Sequence, residues 1–226
     1  LFFMLFPGRC ILCKAATNRS LDLCAHCQRD LPYSSGTCWQ CGLEQSTNSD
    51  TCSSCIVDPP IYSHCFSLFQ YEQPISGLIN QFKSHRRLVV GRVLSILLAR
   101  SYIQSHSMQP DLWLAMPLHI SSLRNRGFNQ AEEIAAVLAG LSQTPLLKSE
   151  VQRVKKTLPQ KSLNLSDRKL NMADAFQTQI NLEGLNIGIV DDVVTTGATV
   201  TALTESLIDA GAADVQIVCL ARTPTN

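Results

Sequence analysis

The chain has 226 residues, of which 45% are hydrophobic and 16% charged, and its formal net charge is +1. That length allows one large domain or a small and a medium one, with enough apolar side chain to form a core. The near-neutral balance excludes a general nucleic-acid coat protein, which would be strongly basic, so any basic partner site has to be local.

The opening run Leu1 to Phe6 has no basic residues before it and leads directly into cysteines. It is shorter than the ~7–15 apolar residues of a secretory signal. Neither it nor the apolar stretch Val93 to Ala99 reaches the ~18–20 residues of a membrane crossing. The expected location is cytoplasmic. Ten cysteines in such a compartment point to metal rather than to disulfides.

The first eight cysteines form four Cys-x-x-Cys pairs: Cys10/Cys13, Cys24/Cys27, Cys38/Cys41 and Cys52/Cys55. Shifting the first two pairs by 28 residues lands them on the last two, so the segment is an internal duplication. A Cys-x-x-Cys turn presents two thiolates on one side of a tight knuckle, and two facing knuckles supply four soft ligands for a tetrahedral Zn²⁺. Two structural zinc sites are expected. The duplication favours two tandem ribbons, each using its own four cysteines, with a cross-braced pairing as the alternative. Gly8, Asn18, Gly36, Gly42, Asn48 and Asp50 supply turn chemistry between the knuckles. The ribbons serve either as a folding staple or as a contact surface for protein or nucleic acid. Cys65 and Cys219 fall outside the pattern, and Cys219 reads as a buried strand residue.

Asp58-Pro-Pro-Ile-Tyr62 breaks regular structure and sets the expected boundary between residues 1–60 and 61–226. Beyond it the pattern predicts a strand over Ser67 to Tyr71, helices over Ile75 to Ser84 and Leu88 to Gln104, and a buried strand from Leu112 to Pro117. An amphipathic helix follows over Phe128 to Leu141. Lys148 to Asp174 is dominated by polar residues, with Arg153, Lys155, Lys156, Lys161, Arg168 and Lys169 among them. Strand-like alternation returns at Phe176 to Ile180. A strand over Ile187 to Val190, a helix over Thr199 to Ala210 closed by Gly211, and a strand over Val215 to Leu220 complete the chain. Strands alternating with helices predict an α/β fold with a mainly parallel sheet.

The strand Ile187 to Val190 leads into two acids, Asp191 and Asp192, and Thr195-Thr-Gly-Ala-Thr199 then opens a helix. Ligands of open α/β sheets gather at the carboxyl ends of strands. Backbone N–H groups at a helix start can cradle a phosphate dianion, with Gly197 permitting close approach and Ala198 adding a further amide. The hydroxyls of Thr195, Thr196 and Thr199 add donors. The paired carboxylates suit ribose hydroxyls and a Mg²⁺ hydrate.

In that order these parts resemble the signature of type I phosphoribosyltransferases, which bind phosphoribosyl diphosphate (PRPP). Arg124-Asn-Arg-Gly-Phe-Asn-Gln130 after the Met116-Pro117 strand end, the run Thr157 to Gln160, and Leu163, Arg168, Asn171 and Ala175-Phe176 narrow the resemblance. With the cysteine module in front, the whole chain is similar to the ComF/GntX family of bacterial proteins. The resemblance implies a double zinc ribbon followed by a type I phosphoribosyltransferase fold, and Mg²⁺ taken up with PRPP. It places Arg124 and Arg126 near the pyrophosphate, where two guanidinium groups would clamp a diphosphate, the alternative being a solvated helix entry. Arg153 to Lys169 would be a loop closing over PRPP, a charged surface loop, or a contact for single-stranded DNA.

The family resemblance also implies a role in natural competence or the use of external DNA, with helicase or recombination partners. A transferase would displace pyrophosphate from ribose C1 with a nitrogen nucleophile, Asp191, Asp192, Arg124 and Arg126 forming its catalytic set. Fold alone does not choose between turnover and PRPP sensing.

Overall fold

The computed structural model describes residues 8–45, 49–105, 109–148, 150–154 and 175–224. Lys155, Lys156, Lys161, Arg168 and Lys169 lie outside them, as do Leu1 to Phe6, Asn48, the run Thr157 to Gln160, Leu163 and Asn171.

The duplication in the sequence is a duplication of backbone hydrogen bonds. A two-stranded hairpin, β1 (Gly8–Arg9) with β2 (Ala16–Thr17), carries the first knuckle. Short helices α1 (Ala25–Arg29) and α2 (Ser53–Val57) follow Cys24 and Cys52 in the two halves. The bonds Lys14 N–H to Cys10, Cys10 N–H to Ala15 and Ile11 N–H to Asp22 recur as Gly42 N–H to Cys38, Cys38 N–H to Leu43 and Trp39 N–H to Asp50. The first knuckle of each half turns on a left-handed residue, Lys14 at φ 64° and Gly42 at φ 70°. Glycine is required at the second, because a Cβ there would come within 2.9 Å of the Cys65 carbonyl oxygen.

The rest of the chain winds around one five-stranded sheet. Its strands are β3 (His64–Gln70), β4 (Leu112–Ala115), β5 (Leu146–Leu147), β8 (Asn186–Val194) and β9 (Asp214–Arg222), in the order β3-β9-β8-β4-β5. All neighbours are parallel. A small antiparallel pair, β6 (Val151–Arg153) with β7 (Phe176–Thr178), stands beside the sheet.

Parallel strands need helical crossovers, and these are α3 (Ile75–His85), α4 (Leu88–Ser105), α5 (Ile120–Arg126), α6 (Gln130–Ser142) and α7 (Ala198–Asp209). Helices α4 and α6 pack on each other, α4 against β3 and β9, and α6 against β4 and β8. Helix α4 has the length and apolar composition of a membrane crossing, contrary to the expectation that no segment reaches that size. Half of it is buried, with Val90, Val93, Leu94, Leu98 and Tyr102 against the fold, as in a core helix.

Strand β8 is longer than its apolar run predicts. It extends from Asn186 to Val194 because β9 pairs with it as far as Val194 opposite Arg222. Asp191 and Asp192 are therefore inside the strand, not beyond its end. The ribbon segment is fastened along the β3 edge of the sheet. Ser34 N–H donates to Leu68, Gln70 N–H to Pro32 and Cys65 N–H to Trp39, so the free edge of β3 is covered. Ile11, Leu21, Leu23 and Leu31 of the first ribbon share the main core, a burial that its sparse apolar content did not predict.

Trp113 on β4 lies fully buried across from Gly188 on β8, and its indole N–H donates to Ser142 Oγ at 2.9 Å. A Cβ at position 188 would sit 2.3 Å from that ring. Gly188→Ala should therefore cost about 1–3 kcal/mol through overpacking. A thermal melt should show a drop of several degrees; an unchanged Tm would mean that the Trp113 packing is looser than described.

Candidate functional site

Two clusters stand out, the cysteine tetrads and the junction of β8 with α7. In each tetrad, Cys10/Cys13/Cys24/Cys27 and Cys38/Cys41/Cys52/Cys55, the four sulfurs lie within 4.8 Å of one another. The halves are thus tandem and not cross-braced. A tetrahedral Zn²⁺ with bonds of about 2.3 Å holds its sulfurs about 3.8 Å apart. The Cys13–Cys24 and Cys41–Cys52 sulfur separations are both 3.8 Å.

Backbone amides prepare the site for anions. Cys27 N–H points at Cys24 Sγ at 3.4 Å and Cys52 N–H at Cys38 Sγ at 3.3 Å. Burial pushes the Cys10 thiol up, but N–H donors from Cys24, Cys13 and Leu12 outweigh it and bring Cys10 down to about 6. Cys38, 28 residues on, comes down to about 7 for the same reason, with donors from Cys41 and Cys52. Burial and the neighbouring sulfurs push Cys27 up to about 12 and Cys41 up to about 11. A divalent ion is what lets four such thiolates coexist, so the donor set fits zinc. Cys65 and Cys219, both buried, are hydrogen-bonded to each other on adjacent strands.

At the other cluster, β8 delivers two consecutive acids to the carboxyl end of the sheet. Asp192 is buried and Asp191 partly so. Asp192 N–H donates to Asp191 Oδ1 at 2.8 Å, and Val193 N–H donates to Asp192 Oδ1 at 2.8 Å. Burial first, then the Asp192 carboxylate, holds Asp191 well above the ordinary carboxylate range, with Lys83 pulling the other way. Thr195 and Thr196 are exposed. Gly197 stands at φ 84° as the N-cap of α7, which begins at Ala198 and includes Thr199. That left-handed turn aims the first amides of the helix out of the sheet. Ala198 N–H is held only at 3.4 Å, by Thr196 Oγ1.

Lys83 is the site residue that sequence patterns did not reveal. From the last turn of α3 its Nζ reaches Asp192 Oδ2 at 2.7 Å. No motif links the two, although a lysine closing an apolar helix was visible. Arg153, the first of the basic stretch, also approaches; its guanidinium feels the Asp191 charge and lies over the Phe176 ring. Arg124 and Arg126 are exposed at the end of α5, and Arg126 donates to Gln130 Oε1 at 3.1 Å. Among the described bonds neither arginine touches the acids. Between α5 and β6, at the carboxyl end of β4, lies a cleft of about 310 Å³ lined by Pro117, Asn129, Glu132, Lys148 and Arg153.

A parallel sheet with two acids near a strand end and a Thr-Thr-Gly turn opening the next helix, preceded by two cysteine tetrads, defines the class of protein. Residues 1–56 match the double zinc ribbon domain and residues 95–226 the phosphoribosyl transferase domain. "DNA utilization protein YhgH" of Salmonella typhimurium is 35% identical over 96% of this chain and 98% of its own length. "Competence protein F" of Haemophilus influenzae is 30% identical over the same shares. A purine phosphoribosyltransferase structure from Pyrococcus horikoshii is similar over 57% of this chain and 69% of its own, at 20% identity and TM-score 0.36. The chain belongs to the ComF family, with a double zinc ribbon in front of a phosphoribosyltransferase domain.

A raised pKa means that the fold favours protonated Asp191. The stability this group contributes is present below the unfolded value of about 3.9 and is lost as pH rises through the folded value. Asp191→Asn should therefore raise Tm near pH 7, at about 2–4 °C per kcal/mol for a chain of this size. The gap to the parent should narrow toward pH 4. A lower Tm for the variant at pH 7 would refute the account of Asp191.

Proposed function

We propose that this chain is a cytoplasmic protein of natural competence or external-DNA utilisation that binds PRPP together with Mg²⁺ at the β8–α7 junction. One observation carries the reading: two adjacent carboxylates, one raised in pKa and one paired with Lys83, beside a left-handed glycine that opens a helix. An acid pair this poorly solvated calls for a ligand rich in hydroxyl donors and accompanied by a cation. The names of the relatives support the DNA role.

In this reading Asp191 and Asp192 accept hydrogen bonds from the ribose hydroxyls. The amides of residues 196–199 and the hydroxyls of Thr195, Thr196 and Thr199 hold the 5′-phosphate. Lys83 supplies positive charge, and the exposed Arg124 and Arg126 would turn onto the diphosphate, Arg126 leaving Gln130 to do so. Mg²⁺ would neutralise the diphosphate, and two Zn²⁺ would hold the tetrads. Residues 1–60 form the zinc unit and 61–226 the PRPP unit. Single-stranded DNA, with helicase or recombination proteins, completes the set of partners.

A second reading, transfer of ribose 5-phosphate from PRPP to a nitrogenous acceptor, is favoured by the cleft beside Pro117 and Arg153, which has room for a planar base. Here Arg124 and Arg126 would stabilise the departing diphosphate while the acids hold the ribose.

Calorimetric titration of the zinc-loaded protein with PRPP and Mg²⁺, repeated with single-stranded DNA present, tests the first reading. Saturable binding is expected, and Asp191→Asn with Asp192→Asn should abolish it. Equal binding by that double variant would sink the site. DNA binding without PRPP binding would leave the fold as a scaffold for DNA handling.

A further inference from the structure

The second tetrad and the phosphate loop are joined by one buried cation. Arg222, the last residue of β9, is only 6% exposed. Its Nε donates to the carbonyl of Cys41 at 3.0 Å and its Nη1 to the carbonyl of Val194 at 2.9 Å. Cys41 is a member of the second tetrad. Val194 ends β8 immediately before the loop Thr195 to Gly197.

Other contacts keep the three parts in register. Gly42, next to Cys41, lies against Cys65 of β3, where a Cβ would come within 2.9 Å of its carbonyl oxygen. Thr223 adds N–H and hydroxyl donors to the same Val194 carbonyl, at 3.1 and 3.3 Å. Buried Tyr62 brings its hydroxyl within 3.8 Å of the place a Cβ on Gly197 would occupy.

A guanidinium taken out of water requires its acceptors to hold still, since each lost bond leaves a buried charge undersatisfied. Its planar fork fixes the angle between the two carbonyls as well as their distance, which a lysine cannot do.

We propose that Arg222 is a positioning residue that couples the second cysteine tetrad to the phosphate loop, so that metal held by Cys38, Cys41, Cys52 and Cys55 sets the loop geometry and with it the affinity for PRPP. With the knuckle ordered by metal, the Cys41 carbonyl anchors one arm of Arg222 and the other arm fixes the start of the loop. A disordered knuckle releases Arg222, and the loop amides lose their common aim. The zinc ribbon is then a support for the PRPP site, whatever else it touches. The affinity part of this inference rests on the PRPP reading; the coupling does not.

The test compares the zinc-loaded parent with Arg222→Met and Arg222→Lys, by zinc content, PRPP titration and amide hydrogen exchange at residues 195–199. Arg222→Met should keep two zinc ions per chain, bind PRPP at least tenfold more weakly and exchange those amides faster. Arg222→Lys, reaching one carbonyl, should fall between. A folded, zinc-replete Arg222→Met with parental PRPP affinity and exchange would overturn the proposal. Should Arg222→Met fail to fold, stepwise removal of zinc from the parent decides. Faster exchange at 195–199 as the second tetrad empties supports the coupling, and unchanged exchange rejects it. A parent that binds no PRPP would defeat the functional reading, while the exchange data would still judge the coupling.

Discussion

The fold is organised around an electrostatic constraint, two carboxylates on consecutive residues of an inner strand. A strand places neighbours on opposite faces; β4 pairs with β8 only as far as Val190, while β9 runs past both acids to Val194 and holds them at the carboxyl end of the sheet. Asp192 is buried and paired with Lys83; among the described residues Asp191 makes no such ion pair, and burial with the Asp192 carboxylate drives it toward its protonated form. A cation or hydroxyl donors placed beside this acid would favour its ionised form. Placement of α3 brings Lys83 to that point.

The cysteine module and the β8–α7 junction are connected through the sheet. The ribbon covers the edge of β3 and shares the main core through Ile11, Leu21, Leu23 and Leu31. A small cysteine module that could not bury a sufficient core alone gains one from its neighbour. The neighbour gains cover for the edge of β3.

Much of this was legible in the sequence, for definite physical reasons. Cysteine spacing specifies facing knuckles, and the 28-residue shift carried over to the hydrogen bonds of both halves, even to the left-handed Lys14 and Gly42. Apolar runs gave the strands and helices because buried parallel strands carry few polar residues. Where polar groups enter a strand that signal fails: β8 appeared to stop at Val190, though pairing with β9 carries it past both acids to Val194. Lys83 and Arg222 were invisible for a different reason. Their roles come from contacts between residues far apart in the chain, and a lysine at a helix end or an arginine at a strand end has no local signature. The reverse held for Arg124 and Arg126, conspicuous in the sequence yet solvent-facing on α5.

The most direct test of the central constraint is the titration of the Asp191 carboxyl carbon by NMR, with and without PRPP and Mg²⁺. Asp191 should titrate well above the ordinary carboxylate range in the free protein and move down when the ligand binds. Titration in the ordinary range, unmoved by PRPP and Mg²⁺, would contradict the view that this acid pair is held poised for a ligand.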